Sequence, residues 1–368
     1  MRRKMLKNVE WWILVCAIIL SIIGCVALFS ATQESNYSEF KKQIIWLAVS
    51  IFIMFIVTFI NYEVLVKISP IFYGIFIILL IVVLFTEPIN GARSWIGFDN
   101  FSFQPGELSK IFVVMCLAYV ISKFQERGTN EINKPLKLLA SIAIVAIPVF
   151  LIVLEPDYGT AMAFIFALIC ILFVAGLDKR YIIATAVIVA ISLPLLYLFV
   201  LPDHAKTRID VFLHPEADAR GAGYNIIQSK LAIGAGQLTG MGLLKGNQTQ
   251  LGFLYPKTTD FIYAVIGEEM GFIVAASVII LYVVIITKAI YVAKTAKDNI
   301  GSYIATGIAG IFIFHMLENI GMTMGLLPIT GVPLLFISYG GSSLITSFIC
   351  VGLLLNISGQ RQKTIFVK

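Results

Sequence analysis

Residues 256–271, PKTTDFIYAVIGEEMG, place Asp260 at the mouth of a strongly apolar stretch that carries Glu268 and Glu269 further along it. An acidic side chain at the centre of a membrane-crossing helix costs about 2.5–3.5 kcal/mol on insertion scales, so such acids usually face a protein interior or a wet cavity. Eight helical residues from Asp260 to Glu268 span about 12 Å. Glycosidase acid/base pairs stand roughly 5–9.5 Å apart, so the trio is not a hydrolytic dyad. The bland alternative for Asp260 is a helix N-cap or a partner of the helix dipole. For Glu268 and Glu269 it is pairing with cations or backbone groups between helices, as structural supports of a cavity. Glu107 and Lys110 stand at i and i+3 on one helix face, just after Pro105 as helix starter. They read as an internal ion pair or as a support for the same cavity. Arg93 and Trp95 come shortly before, and Trp95 alone would pass for an interfacial aromatic. His315 and Glu318 are also i, i+3, but a lone His in an apolar helix is more often a packing residue than a ligand, so no zinc site is expected.

Helices that cross a membrane must position these side chains. The chain is 59% hydrophobic and 13% charged, against about 25% charged in a soluble domain, which excludes an ordinary soluble fold. Apolar runs long enough for about 30 Å of hydrocarbon cover 11–31, 43–61, 68–86, 107–123, 137–154, 159–177, 181–201, 260–287, 302–325 and 341–357. The expected fold class is an all-α polytopic membrane protein of ten transmembrane helices, one integral domain over 1–368. With the N-terminus inside, 17 of the 27 Lys and Arg fall in inner segments, as the positive-inside rule asks. Both termini are then cytoplasmic, and the net charge of +6 reflects topology and needs no nucleic-acid partner. The first run is longer than the apolar region of a signal peptide, about 7–15 residues, and reads as a retained helix. The five cysteines all fall inside spans, without CxxC spacing, and read as core residues.

Glycine, proline, aromatic and charged residues gather on the outer side, at 90–107, at 155–160 and in a long extracellular segment, 202–258, between helices 7 and 8. That segment holds the cations Arg208 and Lys257, and its apolar stretch 225–234 suits a short interfacial helix. Its glycines at 234, 236, 240, 242 and 246 permit turns or a close approach to a ligand, but no GK[ST] follows, so it is not a P-loop. Residues 325–343 are too apolar for a solvated loop and too rich in Pro and Gly for a continuous helix. They read as a re-entrant outer segment before helix 10.

NGARSW (90–95), QPGELSK (104–110), EPDYGTA (155–161), GYNIIQSKLAIGAG (223–236), KTTDFIYAVIGEEMG (257–271) and NIGMTMGLLPITGVPLLFISYGGSS (319–343) together resemble, in order and spacing, the signatures of the SEDS family (shape, elongation, division and sporulation). The match covers essentially the whole chain, and the compact tails and the QPGELSK form resemble the RodA branch more than the FtsW branch. Leu335 departs from the proline that many members carry there. The resemblance implies a ten-helix enzyme polymerising lipid II into glycan strands at the outer face of the bacterial cytoplasmic membrane, with the family's essential aspartate on Asp260 and its important tryptophan on Trp95. It also implies a class B penicillin-binding protein as crosslinking partner, beside lipid II and the surrounding membrane lipid.

Such a reaction needs a base for the acceptor hydroxyl, whereas a diphosphate leaves without a general acid, so a lone Asp260 suffices. Cations must meet the departing charge. Lys257, Arg208, Arg93 and Lys110 are the candidates, with a divalent ion, Mg or Mn, on Asp260 as the possible cofactor. No organic cofactor is expected. Two other classes of function compete: a lipid II transporter, which needs polar groups on both leaflets, and a scaffold that activates a synthase, for which Asp260 would be dispensable.

Overall fold

The computed structural model describes residues 8–88, 93–98, 101–199, 206, 210–218, 221 and 223–361. In chain order they form α1 (Trp11–Ala31), α2 (Ser38–Phe59), α3 (Tyr62–Val83), the antiparallel strands β1 (Ile96–Phe98) and β2 (Phe101–Phe103), α4 (Pro105–Phe124), α5 (Pro135–Leu154), α6 (Tyr158–Val174), α7 (Lys179–Phe199), α8 (Tyr224–Ala235), α9 (Asn247–Gln250), α10 (Ile262–Thr295), α11 (Asn299–Thr323) and α12 (Gly341–Gln360). Seven of these, α1, α2, α3, α5, α10, α11 and α12, are long and apolar enough to cross a membrane, and α6 is a shorter apolar helix. Local chemistry starts several of them. Asn61, Asp157 and Asp298 cap α3, α6 and α11 by accepting from the backbone N–H groups of Glu63, Thr160 and Gly301, which satisfies donors that a helix start leaves open.

α11 and α12 lie in the centre. α12 packs on α2, α11 on α6 and α10, α10 on α1, and α3 on α4. Phe52, Ile71, Ile78, Phe150 and Ile183 remain exposed on the outer faces, the surface a bilayer would cover. One end of the bundle is laced by ion pairs. Glu10 accepts from Arg361 at 2.8 Å and Lys288 at 3.2 Å, and Lys297 pairs with Glu63.

α10 departs from the single continuous helix expected through 260–287. Gly271, at φ 78° and ψ 179°, breaks it, a conformation that residues with a Cβ rarely adopt. The break is filled from 237–242. Phe272 and Ile273 donate to the carbonyls of Gln237 and Leu238, while Met241 and Gly242 donate to those of Glu268 and Glu269. A Cβ on Gly240 would lie 2.2 Å from the Glu269 carbonyl oxygen, so the close approach here is to the protein's own backbone. Residues 272–295 alone, about 36 Å long, suffice to cross a membrane. Glu268 and Glu269 thus sit in the short half-helix before the break, not deeper along a continuous span.

Residues 325–340 are irregular, and their middle is buried, with Val332, Leu334, Leu335, Phe336 and Ile337 in the core. Irregular backbone at such depth needs hydrogen-bond partners from neighbouring elements. Tyr282 donates to the Leu335 carbonyl, Ser338 Oγ donates to the Thr259 carbonyl at 2.7 Å, and Tyr339 N donates to the Thr258 carbonyl at 2.9 Å. The antiparallel pair β1 and β2 is an addition to the all-α expectation. In the sequence, the apolar residues Ile96, Phe98, Phe101 and Phe103 between small or polar ones were the available signal.

Candidate active site

Asp260 occupies a turn just before α10, whose N-cap position falls on Phe261 and not on the acid. Its backbone is held from α11. Asn319 Nδ2 donates to the carbonyls of Asp260 at 3.0 Å and Val332 at 2.8 Å, tying the acid to the irregular segment with one amide. The side chain lines a cavity of 290 Å³ together with Trp95, Asp157, Thr160, Thr330 and Tyr339. Asp157 caps α6 through Oδ1 and accepts from Gln104 Nε2 through Oδ2 at 3.0 Å. Burial raises its pKa above the usual carboxylate range.

A second cavity, of 570 Å³, adjoins the first across a wall shared by Trp95, Pro256, Thr259, Tyr339 and Gly340. Lys257 lines it, donating to the Thr249 carbonyl at 2.8 Å and facing Glu34 at 3.3 Å. Trp95 therefore stands between the two spaces and touches both. Lys42 and Trp46, which were not among the sequence-based candidates, line the larger one as well.

Other expected site residues lie elsewhere. Lys110 is fully enclosed, 2.8 Å from Glu107 Oε1 and 2.9 Å from His315 Nε2, while His315 Nδ1 lies 3.0 Å from the Pro333 carbonyl. With Nδ1 donating to that carbonyl, Nε2 accepts from the ammonium. Lys110 lines neither cavity, and its charge is met within the bundle, unlike the cavity-facing cation expected from the sequence. The exposed Arg93 guanidinium donates to the Leu84 carbonyl at 3.1 Å, closing the end of α3, and it too lines neither cavity. Glu268 accepts from Gln248 N, Thr249 N and Thr249 Oγ1 at 2.7, 3.0 and 2.6 Å, and Glu269 accepts from Gly246 N and Gln250 Nε2 at 3.3 and 2.8 Å. These two acids anchor α9 to the half-helix. Arg208 lies outside the described residues.

Sequence reasoning missed Asp157, Glu155 and Asn319 as site residues. EPDYGT stood out as an outer segment, and an acid at the start of an apolar helix was the available signal. Glu155 is buried beside Asp157, its Oε1 has no partner among the described residues, and burial together with that neighbouring carboxylate pushes it up to about 8. No three His, Cys, Asp or Glu side chains among the described residues group as a metal cage. Mg²⁺, however, is commonly held by one or two carboxylates plus substrate phosphates, and Asp260 and Asp157 line one cavity, so the residues fit an ion that arrives with a diphosphate.

The family profile FTSW_RODA_SPOVE, described as cell cycle protein, matches residues 10–363. Peptidoglycan glycosyltransferase MrdB of Escherichia coli K12 is 35% identical over 352 residues, covering 95% of this chain and 93% of that protein. Peptidoglycan glycosyltransferase RodA of Treponema pallidum is 30% identical, covering 98% and 100%. Among solved structures, a chain described under "Structural coordination of polymerization and crosslinking by a peptidoglycan synthase complex" superposes with a TM-score of 0.82 at 25% identity, covering 95% of this chain and 97% of that one.

Proposed function

Because this chain belongs to the FtsW/RodA/SpoVE family, which is the SEDS family, we propose that Asp260 is the base with which it polymerises lipid II. Its activity is that of a peptidoglycan glycosyltransferase. The observation that carries the proposed role is the placement of Asp260 on a cavity that adjoins a larger, lysine-bearing one through Trp95. The acceptor hydroxyl gives its proton to the Asp260 carboxylate as its oxygen bonds to the anomeric carbon. The bond from that carbon to the diphosphate breaks, and the electron pair leaves on the diphosphate oxygen. Direct displacement inverts the carbon and yields the β-1,4 linkage. A divalent ion, where one binds, would be held by Asp260 and Asp157 and would offset the charge of the diphosphate.

The finer topology belongs to the same reading: ten spans, both termini cytoplasmic, and residues 202–258 with the two cavities outside. Single cysteines at Asn247 and Lys297, in a background lacking the native five, should react with an impermeant thiol reagent from outside in the first case and not in the second. A class B penicillin-binding protein is the proposed partner and cell elongation the proposed setting, supported by likeness to a chain from a complex whose description names polymerisation and crosslinking. The transporter reading asks for a polar path through both leaflets. It is disfavoured because both cavities, with the carboxylates and lysines that line them, lie at the Asp260 end of the bundle. The deciding experiment is lipid II polymerisation by purified wild-type and Asp260→Asn proteins. General-base catalysis predicts a loss on the order of 100- to 10,000-fold, and near-normal strands from the folded mutant would overturn the role of Asp260.

A further inference from the structure

The two adjoining cavities differ in charge. The Asp260 side carries two carboxylates, Asp260 and Asp157, and no Lys or Arg among the described residues that line it. The larger side carries Lys42 and Lys257 together with Glu34 and Glu39, so cations are present there and absent from the first. Glu34 compensates Lys257, whereas Lys42, half-buried on the wall, forms no ion pair among the described residues. Trp46 stands one turn further along α2. It packs over the first turn of α12, where a Cβ on Gly341 would come within 2.6 Å of its ring. This places a broad indole face beside the lysine. Glu39 lines the same wall, and its buried Oε2 has no hydrogen-bond partner among the described residues.

A ligand complementary to that wall has an anionic group for the unpaired ammonium, an apolar face for the indole, and hydroxyl or amide hydrogens for the glutamate. A saccharide joined to a diphosphate has all three. Resting on the glycosyltransferase reading above, we propose that the Lys42 cavity binds the donor, the lipid-linked saccharide diphosphate whose diphosphate leaves, and that the Asp260 cavity receives the acceptor hydroxyl. The anomeric carbon then lies at the wall between them, by Trp95 and Thr259. A departing diphosphate is stabilised by fixed positive charge and, where no cation sits on the acids, disfavoured beside two carboxylates, so without such an ion the opposite assignment would set the leaving charge against Asp157 and Asp260. The bonds made and broken are those of the transfer already described.

The test is binding of polyprenyl diphosphate, the leaving group itself, to full-length protein in zwitterionic nanodiscs, followed by the fluorescence of Trp46 and Trp95. Losing one charge-assisted contact predicts about 10- to 100-fold weaker binding for Lys42→Gln. Lys42→Arg should restore most of it, which guards against misfolding as the cause. Glu39→Gln should weaken lipid II but not polyprenyl diphosphate. In metal-free buffer, where no ion can bridge from the acids, Asp260→Asn should bind polyprenyl diphosphate within about twofold of wild type, because its cavity is the other one. Unchanged binding by a folded Lys42→Gln would overturn the assignment. So would loss through Asp260→Asn alone, which would put the diphosphate on the acid side. Equal occupancy by phosphatidylglycerol would show a general anionic headgroup site and would overturn it also. None of these outcomes bears on whether Asp260→Asn polymerises, so the role of Asp260 as base stands or falls separately.

Discussion

Two regions of this molecule bring carboxylates and polar groups into an apolar setting, and they use them in opposite ways. In the Glu107, Lys110 and His315 cluster the three side chains are almost wholly enclosed. The ammonium is matched at 2.8 and 2.9 Å, and the imidazole hands its remaining nitrogen to the Pro333 carbonyl. At Asp260 the side chain is half-buried and opens onto 290 Å³ of space, and it is the backbone carbonyl that is held, by Asn319. An ionisable residue at membrane depth is therefore not by itself a mark of chemistry. What separates the two regions is whether the charged atoms face their own protein or a cavity that a substrate can enter.

That comparison breaks most visibly if Asp260→Asn and Lys110→Met behave alike. The first should abolish polymerisation by the factor given above while leaving the melting temperature in detergent nearly unchanged. The second leaves Glu107 as a buried charge without its cation, which costs about 3–5 kcal/mol, so the protein should melt earlier or fail to assemble. Removing both partners with Glu107→Gln and Lys110→Met should be milder than either single change. The double-mutant cycle reads this coupling directly. Additive effects would show that the two side chains act separately and would return Lys110 to the set of ligand contacts.

Much of this contrast was legible in the order of residues, and the remainder was not, for physical reasons. The apolar runs announced their helices because burial and period are local. Asp260 announced itself because an acid beside an apolar run is expensive. The half-helix break at Gly271 was hidden, since it depends on residues 237–242 lying against it, some thirty positions away. His315 could be read as a satisfied packing residue, but that its partners are Lys110 and Pro333 depends on α4, α11 and the irregular segment meeting. Arg93 read as a phosphate ligand from its outer position, whereas its direction is set by the end of α3. Asn319, neutral and inside a helix, gave no signal at all, although it holds the acid.

Glu155 sharpens the comparison because it is enclosed like Glu107 yet has no ion-pair partner among the described residues. Burial, with the Asp157 carboxylate second, pushes it up to about 8 from 4.5. A carboxyl with a raised folded-state pKa contributes stability that is complete below the unfolded value and is lost as pH rises through the folded one. The melting temperature of the wild type should therefore fall between about pH 5 and 9. Glu155→Gln should flatten that slope and stabilise the protein at pH 8 by about 1–3 kcal/mol. Parallel slopes for the two proteins would show that Glu155 is not the titrating group.

The smallest expected effect concerns Arg93, which lies outside both regions. Its guanidinium is exposed and donates to the Leu84 carbonyl at 3.1 Å, and its backbone N–H donates to the Glu155 carbonyl at 3.3 Å. A surface contact of this kind is worth about 0.5 kcal/mol or less, so Arg93→Met should keep kcat/KM for lipid II within about threefold of wild type. A guanidinium that grips a phosphate would behave otherwise, since losing a charged hydrogen bond of about 1.5–3 kcal/mol lowers kcat/KM by roughly 10- to 150-fold. The two outcomes are far enough apart to be read from initial rates alone. A large drop would extend the substrate-bearing region to the end of α3, and the division drawn here between side chains that face the cavity and side chains that face the protein would have to be redrawn with Arg93 on the cavity side.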